Sequence, residues 1–86
     1  MKLKKKFLLR EVMGENILVP GGDAETTFNG IISLNDMGVF IWNNIEKVKD
    51  EKELLKCILD EYEVDMDVAK TDLDEFLGKL KAVDII

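Results

Sequence analysis

The sequence contains no histidine and a single serine, Ser33. Without histidine, the side chain that titrates nearest neutrality is gone, and with it the commonest general base and metal ligand. Ser33 has no Gly-x-Ser-x-Gly setting and no histidine partner, which excludes a nucleophilic triad. Cys57 is the only cysteine, so an intrachain disulfide and a multi-cysteine metal site are excluded, and the residue is expected at the edge of a core. Gly21-Gly22 lacks Walker spacing and a following Lys-Ser or Lys-Thr, and reads as a turn rather than a phosphate loop. No apolar run approaches the roughly 20 residues of a membrane span. The apolar segment after Lys4-Lys5-Lys6 is broken by Arg10 after three residues, so no signal-peptide core follows. These absences predict a soluble, cytoplasmic protein that is not an enzyme and carries no cofactor or metal.

What is present suits one folded domain over residues 1–86. The chain is 47% hydrophobic and 35% charged, a balance that supports a single modest core and argues against disorder. Its formal net charge is −6, yet Lys2, Lys4, Lys5, Lys6 and Arg10 supply five of the twelve basic residues. Residues 1–6 are therefore expected to form a basic arm, free to move or to dock an acidic partner. The acidic remainder would repel phosphate, which argues against nucleic acid as a partner. The acids Asp60, Glu61, Glu63, Asp65 and Asp67 invite a calcium reading, but Val68, Ala69 and Lys70 stand where an EF-hand needs further oxygen ligands and a glycine. They read as helix-capping and solvated charge.

The apolar runs Phe7 to Met13 and Ile17 to Val19, with Gly14 between them, predict a β-hairpin. Pro20-Gly21-Gly22 ends it. A third strand is expected over Phe28 to Leu34, leading directly into a helix capped by Asn35 or Asp36 and striped by Met37, Phe40, Ile41, Ile45 and Val48. Trp42 lies beside that stripe. Asp50 and Glu53 have capping-box spacing at the start of a second helix with Leu55, Ile58, Leu59 and Tyr62 on one face. A third helix follows Val64-Asp65, with Asp65 as its expected cap and Ala69, Leu73, Phe76, Leu77 and Leu80 inward. Three strands followed by three helices define an α+β fold, winged helix-turn-helix-like in the number and size of its elements, with a three-stranded antiparallel N-terminal sheet.

Several of these segments in order carry a resemblance. They are the hairpin, Phe28-Asn29-Gly30 through Leu34-Asn35-Asp36-Met37-Gly38-Val39-Phe40-Ile41-Trp42, Glu61-Tyr62-Glu63-Val64-Asp65, and Asp72-Leu73-Asp74-Glu75-Phe76-Leu77. Over nearly its whole length the chain resembles the PqqD family, named for pyrroloquinoline quinone biosynthesis, which typifies recognition elements for ribosomally made, post-translationally modified peptides. The resemblance implies a peptide chaperone that binds the leader of a precursor peptide and presents the precursor to a modifying enzyme, such as a radical S-adenosylmethionine maturase. In that family the leader adds as an antiparallel strand to the third strand, in a groove walled by the third helix.

Carried onto this chain, the implied peptide-binding strand is Asn29, Gly30, Ile31, Ile32, Ser33 and Leu34. A helical wheel places Val68, Asp72, Phe76, Lys79 and Val83 along one flank of the third helix, and the resemblance makes Val68, Asp72, Phe76 and Lys79 the groove wall. The same apolar positions also suit a seal over the core. Proline at Ile32 is expected to weaken binding if that residue's N–H belongs to the shared ladder. Two other readings compete. A winged-helix DNA-binding regulator fits the helix count and the basic N-terminus, but from Asp67 to Lys81 the third helix carries four acids against three lysines, a poor match to phosphate. An adaptor whose strand edge pairs with a second copy is the other. A monomer is expected, and neither the precursor nor the maturation pathway is legible in these residues.

Overall fold

The computed structural model describes residues 1–21 and 32–86. Strands β1 (Phe7–Val12), β2 (Glu15–Pro20) and β3 (Ile32–Leu34) form an antiparallel sheet in that order. Helices α1 (Asp36–Asn44), α2 (Glu51–Glu61) and α3 (Met66–Ala82) follow, with a 3₁₀ turn at Ile45–Lys47. This is the α+β order expected from the sequence. The expected third strand began at Phe28, and its first four residues lie outside the described residues.

The β1–β2 turn consists of Met13 and Gly14, whose φ values are +53° and +83°. Positive φ at both positions is the type I′ geometry whose twist matches that of paired strands. A two-residue loop makes the flanking Val12 and Glu15 a hydrogen-bonded pair, and antiparallel ladders alternate from there. Arg10 therefore bonds Ile17 and Leu8 bonds Val19, in the observed register. One step further, the Gly21 N–H donates to the Lys6 carbonyl at 3.0 Å, as that alternation requires.

Asn16, Leu18 and Pro20 consequently turn their backbone groups away from β1, so the N–H that proline lacks is no loss to the hairpin. The register pairs Asn16 with Leu34, Ile17 with Ser33 and Leu18 with Ile32. Ile32 and Leu34 thus bond to β2, and Ser33 aims its N–H and C=O at the opposite side. Among the described residues no strand pairs with that side.

The inward residues of the sheet, including Phe7, Leu18, Ile32 and Leu34, close a core with Ile41, Ile45, Leu54, Ile58, Leu73, Phe76, Leu77, Leu80 and Ile85. Asn35 caps α1, its Oδ1 accepting from the Gly38 N–H at 2.8 Å. The helix stops at Asn44, whose side-chain amide donates to the Phe40 carbonyl at 2.8 Å. Ile45 and Val48 were expected to prolong the helical stripe. Both are buried, but through the 3₁₀ turn, whose three-residue period keeps them on one side.

At α2, Asp50 accepts from the Glu53 N–H at 3.0 Å, while the Glu53 carboxylate reaches back to the Lys49 N–H at 3.3 Å. The buried face is centred on Leu54 and Ile58, leaving Leu55, Leu59 and Tyr62 half-buried. The inward face is thus rotated by one position from the one expected. Tyr62 meets Phe40 edge-on, with ring centroids 5.4 Å apart. Asp65 occupies the cap position of α3 as expected, but its side chain makes no capping bond.

The end of α3 was not legible in the sequence. The Ile85 N–H donates to the Leu80 carbonyl at 2.9 Å and the Asp84 N–H to that of Lys81 at 3.0 Å, with Asp84 at φ +63°. This is a Schellman motif, with Ile85 and Leu80 as its buried apolar pair. The basic N-terminal residues lie beside this turn. Leu3 packs against the core, the Lys4 N–H donates to the Ile85 carbonyl at 2.6 Å, and the Lys5 ammonium donates to the Val83 carbonyl at 3.2 Å.

Candidate functional site

Helix α3 packs chiefly on α1 and α2. One flank of it faces the edge of β3 that no described strand pairs, across a groove of ≈ 460 Å³. Ser33 and Leu34 form the strand side, and Asp72, Glu75, Phe76 and Lys79 the helix side. The floor is the first two turns of α1, from Asn35 to Gly38 with Ile41, and the hairpin tip at Gly14, Glu15 and Asn16 closes one end.

Gly38 lets these parts converge. A Cβ there would stand 3.2 Å from the Leu34 Cβ and 3.4 Å from the Phe76 Cε1. The first turn of α1 can therefore lie against both the strand and the helix wall. Phe76 is 6% exposed and Leu34 7% exposed, so the apolar lining is anchored in the core and does not collapse into the opening.

The polar lining is uneven in sign. Glu15, Asp36, Asp72 and Glu75 are carboxylates, and Lys79 is the one cation among the lining residues. Nearby lysines are engaged elsewhere: Lys70 pairs with Asp74 at 3.6 Å and Lys81 with Glu51 at 3.5 Å. Among the described residues none of the four groove carboxylates has an ion-pair partner.

Five of the ten residues expected at the site meet here: Ser33, Leu34, Asp72, Phe76 and Lys79. Ile32 is 8% exposed in the core, and by the ladder alternation its backbone belongs to β2. Val68 is 50% exposed near the start of α3 and does not line the groove. Asn29, Gly30 and Ile31 lie outside the described residues.

Sequence reasoning missed the hairpin tip, the first turn of α1 as a floor, and Glu75. The two-residue loop held the signal for the first, because its register carries Asn16 to Leu34. Glu75 lies one position beyond the flank drawn on the wheel. Among the described residues no group of three or more metal-ligating side chains is placed to hold an ion, and no helix is long and apolar enough to cross a membrane.

Fold and groove define a small α+β domain with an opening beside a sheet edge that no described strand pairs. The family described as Coenzyme PQQ synthesis protein D (PqqD) matches residues 15–86, and the chain belongs to it. A solved structure described as "TbiB1 in Complex with the TbiA(beta) Leader Peptide" is similar, with 26% sequence identity and a TM-score of 0.72 over 99% of this chain and 93% of that one. A comparison with curated protein sequences gave no match.

Proposed function

We propose that this protein is a peptide-recognition element that binds the leader region of a ribosomally made precursor peptide by adding it as a strand to the open edge of β3. The observation that carries this reading is the outward-facing backbone of Ser33 beside a groove walled by α3. An added strand gains main-chain hydrogen bonds whatever its sequence, and pockets for its alternate side chains supply selectivity. Met37, half-buried beside Phe76 and Leu34, offers a small apolar seat. Asp72, Glu75 and Lys79 offer charge on the helix side.

Membership of the PqqD family and similarity to a protein solved with a leader peptide support the choice of ligand. The protein acts without catalysing a reaction, as a cytoplasmic monomer that hands the bound precursor to a separate modifying enzyme, for example a radical S-adenosylmethionine maturase. With an antiparallel leader, the N-terminal part of the bound segment lies near Leu34 and the hairpin tip. Its C-terminal part then leads away past the start of β3. DNA recognition fits worse, since the exposed flank of α3 would bring Asp72 and Glu75 to phosphate.

Labelled protein titrated with dodecapeptides selected from a displayed random library tests the site by amide shifts. Shifts are expected over Ser33 to Gly38 and Asp72 to Lys79. Shifts confined to other surfaces reject the groove.

A further inference from the structure

We infer that the groove selects a cationic strand: the bound peptide carries lysine or arginine at positions facing α3 and the hairpin tip. This rests on the peptide-groove reading above and adds the chemistry of the ligand. The lining contributes Glu15, Asp36, Asp72 and Glu75 against Lys79. Asp36 sits in the first turn of α1, where the helix end offers roughly half a positive charge in partial compensation. Asp72 and Glu75, in the middle of α3, have no such offset, with Lys79 one turn on as the one cation of the lining. Glu15 stands at the hairpin tip on the sheet face it shares with Ile17 and Ser33. The segment 22–31, which precedes β3 in sequence, contains no lysine or arginine, so it holds no cation to neutralise these carboxylates.

Met37, which is half-buried, lines the same groove beside the buried Phe76 and Leu34 and gives it a small apolar seat. The strand that fits therefore alternates basic and apolar side chains, with stems of lysine or arginine lying on the apolar lining and their heads at the carboxylates. An acidic strand would bring its charge against these carboxylates with Lys79 alone to meet it.

A test must separate the groove from the general attraction of a chain of net charge −6 for any cation. Random dodecapeptides are displayed and selected on the full chain, on the groove variant D72K/E75K, and on a remote variant D60K/E61K that changes the net charge equally. Asp60 and Glu61 are exposed on α2 and do not line the groove.

Wild type and the remote variant should both enrich basic peptides. A selected peptide should outbind its Lys-to-Glu counterpart by about tenfold at low ionic strength, as two or three weakly screened pairs would give. The groove variant should lose or invert that preference. Equal enrichment of acidic and basic peptides on wild type, or a preference that D60K/E61K shifts as much as D72K/E75K, overturns the inference. Amide shifts of the selected peptides tell this failure from that of the underlying reading. Binding at Ser33 to Gly38 without charge preference refutes the inference alone, whereas selected peptides that bind elsewhere, or no selected peptides at all, refute both.

Discussion

Ser33→Pro removes one N–H from the edge of β3 and places a ring where an incoming strand would pair. The ladder alternation read from the Met13-Gly14 turn and the Gly21–Lys6 bond aims that N–H away from β2. Proline is tolerated on edge strands when its missing donor faces outward, and the preceding Ile32 already has the extended backbone that proline requires. The cost to folding should therefore stay near 1 kcal/mol, chiefly from adjusting φ toward the proline value.

The cost to binding is larger. One lost backbone hydrogen bond is worth about 0.5–1.5 kcal/mol, and the ring blocks the approach of the strand itself. Together these should weaken a groove-binding peptide at least about tenfold. Ile32→Pro should do the reverse. It removes a β2–β3 bond and truncates a core side chain, at a cost of about 3 kcal/mol or more, a large part of the roughly 5–15 kcal/mol that holds a small domain folded. Urea denaturation gives the stability of each variant, and calorimetric titration with a display-selected dodecapeptide gives affinity. Ser33→Thr keeps the N–H and should bind nearly as wild type. A stably folded Ser33→Pro protein with wild-type affinity would refute the assignment of the edge.

Other substitutions follow from local geometry. Asp84 holds the left-handed position of the Schellman turn, so Asp84→Gly should raise stability by about 1 kcal/mol in urea denaturation, and its exposed pair with Lys4 at 3.4 Å contributes little against that. Met13 is almost fully exposed at φ +53°, and Met13→Asn should stabilise the hairpin by roughly 0.5 kcal/mol, because asparagine accepts that conformation more readily. Gly38→Ala gains about 1 kcal/mol of helix propensity but sets a methyl group 3.2 Å from Leu34 and 3.4 Å from Phe76. Its stability should remain near wild type, while the shift forced on Leu34, the tighter contact, weakens peptide affinity in the same titration.

Much of the scaffold could be read from particular residues. Asn35 before Asp36 and Asp50 before Glu53 mark helix starts because a short polar side chain can satisfy an orphan N–H, and both caps form. Asp65 looks equivalent in sequence, yet its side chain makes no such bond. The Schellman turn escaped notice because its left-handed residue is aspartate rather than glycine. The α2 face shifted from Leu55 to Leu54 because several apolar residues stand side by side, and tertiary packing decides which points inward.

Asp72, Phe76 and Lys79 share one flank of a regular helix, but such a flank suits a seal over the core equally, and it was the family resemblance that made them the expected groove wall. The floor and the closed end were not legible, since they depend on how close Gly38 brings α1 to Leu34 and on the register that sets the hairpin tip beside β3. Ile32 was assigned to the ligand because strand membership in a sequence does not say which way each N–H points. The two-residue turn supplies that parity.

The most direct test of the account is the cross-strand nuclear Overhauser pattern of labelled protein bound to a display-selected dodecapeptide. An antiparallel ladder between the peptide backbone and Ser33, with peptide side chains contacting Phe76 across the groove, is the expected result. A bound peptide with no backbone contact to Ser33, or one held in helical form on another face, would contradict it.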